Sequence, residues 1–206
     1  MAAQAPYPPK IYADADAAKY IAGAAYHNYG GNRGELNTIH NARPDKELIF
    51  TETSIGEWND GRNLERHLME DMREVALGTV ENWCQGVIVW NLMLDTNKGP
   101  NRQGGCMTCY GAVDISTDYK RITRNSHYYI ISHMSDVVKP GAVRIGTSGY
   151  SAQGLMYLAF LNTDGSYALA LLNEAAEERG ITISDGVKHF TYKVPAKSVV
   201  SYRWKS

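Results

Sequence analysis

The sequence predicts an α/β portion of parallel strand-and-helix units followed by an antiparallel β-sandwich, and three observations carry that reading. Apolar or small-residue runs alternate with stretches of helical periodicity between residues 22 and 90. Three of the runs, Ala22 to His27, Lys46 to Glu52 and Gly86 to Asn91, end in functional side chains, the way a parallel barrel builds its site at the carboxyl ends of its strands. From Val143 onward the pattern becomes short alternating or β-rich runs broken by turn residues.

Taken in chain order, Asp14 or Asp16 is suited to cap a short helix through Tyr20. Ala22 to His27 follows as a buried strand whose small residues allow close packing. Glu35 to Arg43 places Leu36 and Ile39 at helical spacing and stops before Pro44. After the strand ending in Glu52, Thr53 to Gly61 reads as a polar loop containing Trp58. Asn63 to Gln85 carries Leu64, Leu68, Met72, Val75, Val80 and Trp83 on a helical face, with Cys84 inside the pattern and Gly86 as its C-terminal turn. Val87 to Trp90 is a continuous apolar run, as expected of a parallel strand covered on both faces. A long polar loop, Asp95 to Tyr110, comes next, and loops of this length usually carry function. A further helix is predicted from about Arg124 to Val138, with Tyr128, Ile131, Met134, Ser135 and Val138 on one side.

The sandwich reading begins near Lys139-Pro140-Gly141, which divides the chain into residues 1–138 and 139–206. Its strands are Leu155 to Leu161, Tyr167 to Leu172, Ile181 to Ser184, His189 to Val194 and Val199 to Trp204. Asn162-Thr163-Asp164-Gly165 and Asp185-Gly186 are hairpin signals between them.

Composition narrows the partners. With 44% hydrophobic residues the chain can bury a substantial core, and a formal net charge of −1 gives no electrostatic argument for nucleic acid or a membrane surface. No apolar run approaches the length of a transmembrane helix, and Met1 to Pro9 lacks the blocks of a secretion signal. Cys106 and Cys109 form a lone CxxC in a Gly-rich loop. Without a second ligand pair it signals zinc weakly, and a local disulfide or free thiols are the other readings.

Ala17-Ala18-Lys19-Tyr20 with Ala25-Tyr26-His27-Asn28-Tyr29, then Phe50-Thr51-Glu52, then Trp90-Asn91-Leu92 with Gly99-Pro100-Asn101, follow one another in a specific order and spacing. Tyr128-Tyr129 through Ser135, Pro140-Gly141, Asn162-Thr163-Asp164-Gly165-Ser166 and Ser198-Val199-Val200 extend the series to the end of the chain. The set resembles glycoside hydrolase family 30, the group of glucosylceramidases and endo-β-1,6-glucanases. That resemblance implies a TIM (β/α)8 barrel with a β-sandwich attached, and a retaining β-glycosidase that works by double displacement with Glu52 as nucleophile and needs neither cofactor nor metal. Its substrate would be a β-glucoside, a β-glucan or a glycolipid. The family also suggests a secreted or periplasmic protein, although this chain carries no signal peptide.

The family's general acid/base is a second Glu, typically in Asn-Glu-Pro. No such tripeptide occurs here, and the lone Asn-Glu, Asn173-Glu174, is followed by Ala175 inside the predicted sandwich. A complete barrel takes about 250 residues, so residues 1–138 resemble its last three strand-helix units, with His27, Glu52 and Trp90 at the ends of the sixth, seventh and eighth strands. The second carboxylate then belongs to a missing N-terminal barrel portion.

His27 and Tyr29 are candidate hydrogen-bond donors to an ionised Glu52, and Trp90 offers a flat apolar face to a sugar ring. Asn91 and Asp95 are candidates for sugar hydroxyls, and Trp58 for the wall of another subsite. Glu35, Glu57 and Asp60 do not sit at a predicted strand end facing Glu52. A rival reading is a catalytically incomplete fragment that only binds carbohydrate or a complementary barrel half, with exposed strand edges that favour self-association. A purely structural sandwich with a helical cap leaves Thr51-Glu52 and Trp90-Asn91 without a role.

Overall fold

The computed structural model describes residues 7–206. The reading of Met1 to Pro9 as lacking an export signal therefore rests mostly on residues outside those described. The chain opens with helices α1 (Tyr7–Ala13) and α2 (Ala15–Ala18), and Asp14 caps α2 through Oδ1, which accepts the amides of Asp16 and Ala17. Strand β1 (Gly23–His27), helix α3 (Glu35–Ala42) and strand β2 (Glu47–Glu52) follow. The supposed loop after Glu52 contains a two-residue strand β3 (Ile55–Gly56) and a 3-10 turn over Glu57–Asn59. Helix α4 (Leu64–Asp71) then runs through a π-helical stretch, Met72–Leu77, into α5 (Gly78–Glu81) and strand β4 (Cys84–Val87).

β1, β2 and β4 form a parallel sheet in that order, with α3 and the α4–α5 segment as crossovers. The helix before β4 is shorter than its periodicity suggests. It ends at Glu81, and Trp83 takes a positive φ of 78° while its indole stacks 3.9 Å from His40. Cys84 consequently opens the strand instead of lying in a helix, and Gly86 is a strand residue. The π-helical stretch explains part of the misreading: the Arg73 carbonyl there accepts Arg33 Nη1 at 2.7 Å, so its ladder is not regular. The apolar run after β4 continues alongside β2, with Ile88 donating to Phe50 and Trp90 to Thr53, but it is not covered on both faces. Ile88 is 52% exposed, because the side of the sheet facing away from the helices has little packed on it among the described residues.

The long loop that follows is more structured than expected. Strands β5 (Met93–Asp95), β6 (Cys109–Tyr110), β7 (Val113–Ile115) and β8 (Ile122–Arg124) build two small sheets, β5-β7-β8 and β3-β6. Cys106 and Cys109 are joined in a disulfide, and Cys84 is a buried free thiol. Helix α6 (Ser126–Val137) buries Ser126, His127, Ile130 and Val137. Ile131, Met134 and Val138 of the predicted side pack partly buried against the apolar cluster, whereas Ser135 is exposed, and the fully buried positions lie one residue before that side.

Strands β9 (Val143–Ile145), β10 (Leu155–Leu161), β11 (Tyr167–Asn173), β12 (Arg179–Ser184), β13 (His189–Val194) and β14 (Ser198–Trp204) make the sandwich. One layer has the order β14-β11-β10-β9, and the β12-β13 hairpin covers it. Gly165 and Gly186 take φ of 78° and 88° at the two hairpin turns, where a side chain would be strained. The period of two sorts the larger sheet into two faces. Ala159, Leu169 and Leu171 pack on Ile181, Ile183 and Val194 of the hairpin. Leu158, Phe160, Ala168, Ala170, Leu172 and Val199 face the other way, into one apolar cluster with Ile130 of α6, Met72 and Val75 of the π stretch, and Leu48 and Phe50 of β2. That shared cluster fixes the sandwich against the helices that carry the site strands.

Candidate active site

The register of β1 on β2 places His27 opposite Glu52, after a bulge between Tyr26 and His27. Beyond β2, Ser54 pairs with Trp90 in a parallel bridge, and Trp90 donates its amide to the Thr53 carbonyl at 2.8 Å. The three strands thus deliver His27, Glu52 and Trp90 to the same end of the sheet. His27 Nδ1 lies 3.8 Å from Glu52 Oε1, and the two side chains are 40% and 34% exposed. The carboxylate is neither sealed in a salt bridge nor free of the protein; it is about one-third exposed at the end of the sheet.

Tyr29 stands beside the same carboxylate. Its hydroxyl is 2.7 Å from Ser54 Oγ, and its ring meets His27 edge-on at 5.7 Å. Burial raises the phenol above its ordinary pKa; the Ser54 contact opposes this, and the nearby Glu52 carboxylate adds to the rise. Tyr29 therefore keeps its proton at neutral pH and can donate. Ser54 escaped the sequence reading, since a serine two residues past an acid carries no signal of its own.

Trp90 and Asn91 are joined by a cis peptide bond. The Asn91 carbonyl accepts Ala112 N at 2.7 Å, while its Oδ1 is buried with no hydrogen-bond partner among the described residues. Asp95 lies differently: its Oδ1 accepts the amides of Asn97 and Gly99, so one carboxylate oxygen is committed to its own turn. Trp58 is exposed on the 3-10 turn, with its ring across Gly56.

The other acids are engaged elsewhere. Glu57 pairs with Lys98, Glu35 accepts from the amide and side chain of Asn32, Asp60 accepts from Asn63, and Glu174 pairs with Arg73. Asn173 is fully buried, and its side-chain amide donates to the carbonyls of Glu177 and Pro195, a structural role at the end of β11.

Two buried polar groups brace this end of the molecule, and nothing in the sequence pattern announced them. Asp114 accepts from Gly111 N, Asn125 Nδ2 and Arg62, whose guanidinium lies 4.5 Å over Tyr110. Asp71 accepts from Ser126 Oγ and lies 3.7 Å from His127 Nε2. Burial pushes the Asp71 carboxyl up to about 6, and burial followed by the nearby His67 pushes His127 down to about 4. Helices α4 and α6 are linked there by the Ser126–Asp71 hydrogen bond, with a largely uncharged His127 packed beside it.

Comparison with known proteins agrees with the fold. Residues 6–138 match the glycosyl hydrolase family 30 TIM-barrel domain, and residues 141–202 match the family's beta-sandwich domain. The chain is similar to an endo-beta1,6-glucanase of known structure, with 67% identity, a TM-score of 0.95 and coverage of 97% of this chain and 45% of that one. It is 28% identical over 198 residues to endo-1,6-beta-D-glucanase neg1 of Aspergillus fumigatus, covering 90% of this chain and 38% of the relative. It is also 26% identical over 211 residues to lysosomal acid glucosylceramidase of Mus musculus, covering 95% and 39%. The chain thus spans less than half the length of these relatives. From its barrel strands to its sandwich, the chain belongs to glycosyl hydrolase family 30.

Proposed function

We propose that this chain carries the nucleophile half of a retaining β-glycosidase site, with a β-1,6-linked glucan as substrate. The observation that supports it best is the meeting of Glu52 with His27, Tyr29 and Trp90 at one end of a parallel sheet, in a chain similar to an endo-beta1,6-glucanase. The Glu52 carboxylate attacks the anomeric carbon as the bond from C1 to the departing oxygen breaks, leaving a glycosyl ester on Glu52. Water then attacks C1, the ester bond returns its electron pair to Glu52, and the sugar leaves with its configuration retained. Tyr29 donates toward the carboxylate and orients it, and Trp90 lies under the apolar face of the sugar.

Both steps require a second carboxyl group about 5 to 5.5 Å from the first, to protonate the leaving oxygen and then to deprotonate water. Glu35, Glu57 and Asp60 are engaged in other contacts, so the proposal assigns that role to a complementary N-terminal barrel portion. The disulfide supports an oxidising, extracytoplasmic location. A second reading, carbohydrate binding without turnover, draws on the same lack of a second carboxylate facing Glu52 among the described residues.

A 2,4-dinitrophenyl 2-deoxy-2-fluoro-β-glucoside tests the assignment, because its acidic leaving group departs without a proton donor while the fluorine slows release of the ester. Peptide mapping is expected to find one adduct, on Glu52. An adduct on another side chain overturns the assignment, and hydrolysis of unactivated β-1,6-glucan by this chain alone overturns the placement of the second carboxylate.

A further inference from the structure

The disulfide, Lys98 and the Trp58 turn form one construction that the double-displacement mechanism does not use. The turn over Glu57–Asn59 is anchored internally by Asn59 Oδ1, which accepts Gly56 N at 3.0 Å, and by Gly61 N, which donates to Gly56 O at 2.9 Å. One outside anchor is His67 of α4, whose Nε2 donates to the Asn59 carbonyl at 2.8 Å, and the others come from the loop after β5. Ile55 and Gly56 pair with Tyr110 and Cys109, and Glu57 donates its amide to the Thr108 carbonyl at 3.0 Å. Lys98 forms an ion pair with Glu57, and the turn that presents Lys98 is closed by Asp95. Thr108, the acceptor for Glu57, lies inside the ring closed by Cys106 and Cys109. Cys109 is buried, Trp58 and Met107 are exposed, and the Trp58 ring lies where a Gly56 side chain would be.

We infer that the Cys106–Cys109 bridge and Lys98 are positioning residues that hold Trp58 as the apolar wall of an outer sugar subsite, so that they set affinity for longer glucans and leave the chemistry at Glu52 untouched. The inference rests on the β-1,6-glucan reading above. An exposed tryptophan on a three-residue turn loses orientation freely unless something fixes its backbone. Here the fixing contacts, apart from those within the turn and the bond from His67 to the Asn59 carbonyl, come from the loop after β5 and from β6, the stretch that carries both Lys98 and the disulfide. Ordering the ring before the ligand arrives removes that entropic cost from binding.

The test compares the wild-type chain, Trp58→Ala, the Cys106→Ser/Cys109→Ser pair, and Lys98→Met, which opens the same brace without touching the cysteines. Calorimetry measures binding of a β-1,6-linked glucose tetramer and of methyl β-glucoside, and amide exchange monitors the Gly56–Asn59 segment against β1, β2 and β4. Each variant is expected to weaken the tetramer about tenfold, equivalent to ~1.4 kcal/mol, with methyl β-glucoside unchanged. The serine pair and Lys98→Met should speed exchange at Gly56–Asn59 and leave the three strands protected. Combining Trp58→Ala with the serine pair should add no further loss, since both remove the same contact. Tetramer binding that responds to Trp58→Ala but not to the serine pair or Lys98→Met overturns the positioning role and leaves the glucan reading standing. A wild-type chain that ignores the tetramer overturns the glucan reading, and the inference with it.

Discussion

At the scale of single residues, the proposed function turns on Glu52, and a nucleophile there can be told from a proton donor by stereochemistry. Removing a nucleophile opens the face of the sugar opposite the leaving group, so a small anion supplied from solution attacks there once and inverts the centre. With Glu52→Ala, azide and a dinitrophenyl β-glucoside, the product is expected to be the α-glycosyl azide, identified by its anomeric proton coupling. An acid/base residue would yield the β-azide. On unactivated glucan, in a barrel completed by its N-terminal portion, Glu52→Gln is expected to lose turnover by on the order of 10^4-fold while sugar binding persists. The buried pair of Asp71 and His127 predicts a different response. His127, depressed to about 4, costs stability as pH falls from 6.5 toward 4, since the unfolded chain then binds a proton that the folded chain refuses. Asp71, raised to about 6, has the opposite sign: the folded chain holds a proton between pH 3.8 and 6 that the unfolded chain has released, so acidification there favours folding. The two contributions oppose each other in the wild type. Asp71→Asn removes one of them, and urea unfolding is expected to show a steeper loss of stability between pH 6.5 and 4 than in the wild type.

At the scale of elements, Gly56 is the position where local geometry is least forgiving. Its backbone is extended, so no unusual φ demands glycine; the demand is space. A Cβ there would lie 1.9 Å from the Trp58 ring and 2.5 Å from the Thr108 carbonyl oxygen, and the second of these is backbone. Gly56→Ala is therefore expected to cost about 1 to 3 kcal/mol in chemical denaturation and to spread β3 from β6, read as faster amide exchange at Glu57. None of this was visible in the sequence, where Thr53 to Gly61 looked like polar loop and the strands between Cys109 and Arg124 left no mark. Strands of two or three residues are too short for alternation to register, and their pairing is long-range. The strands that were legible had either a clean end, as at Glu52 and His27, or a clear hairpin turn, as at Gly165 and Gly186. The helix before β4 was misjudged because Trp83, apolar and correctly spaced, extends the pattern past the point where the backbone turns to positive φ. The family pattern placed Glu52, His27 and Trp90 on adjacent strand ends. Asp95 spends one carboxylate oxygen on its own turn, a local hydrogen-bond arrangement that the composition of a polar loop does not disclose, while Trp58 stays exposed on its turn.

At the scale of the whole molecule, the same three strands that assemble the site leave one side of their sheet open. Ile49 and Ile88 present apolar surface there, Leu92 adds more beyond the strand ends, and the outer edges of β1 and β4 pair with no other strand among the described residues. The opposite side is different: Leu48 and Phe50 are buried in the cluster shared with α6 and the sandwich. The folded unit is thus well packed behind the sheet and bare in front of it, a combination that favours association without unfolding. Sedimentation of the 206-residue chain is expected to show oligomers whose share grows with concentration, and a dye that binds apolar surface should fluoresce strongly with it. Ile88→Lys should reduce both signals while leaving the denaturation midpoint within about 0.5 kcal/mol of the wild type, because that side chain is half exposed and contributes little to the core. On the two-part barrel proposed above, adding the N-terminal barrel portion of the 67% identical endo-beta1,6-glucanase should convert the oligomers to a one-to-one complex with the dye signal suppressed. Ile88→Lys should weaken that complex too, since the charge would be buried in the barrel interior. A wild-type chain that stays monomeric, ignores the dye and ignores the N-terminal portion would mean that the open side of the sheet is covered from within the chain, and the two-part barrel would have to be abandoned.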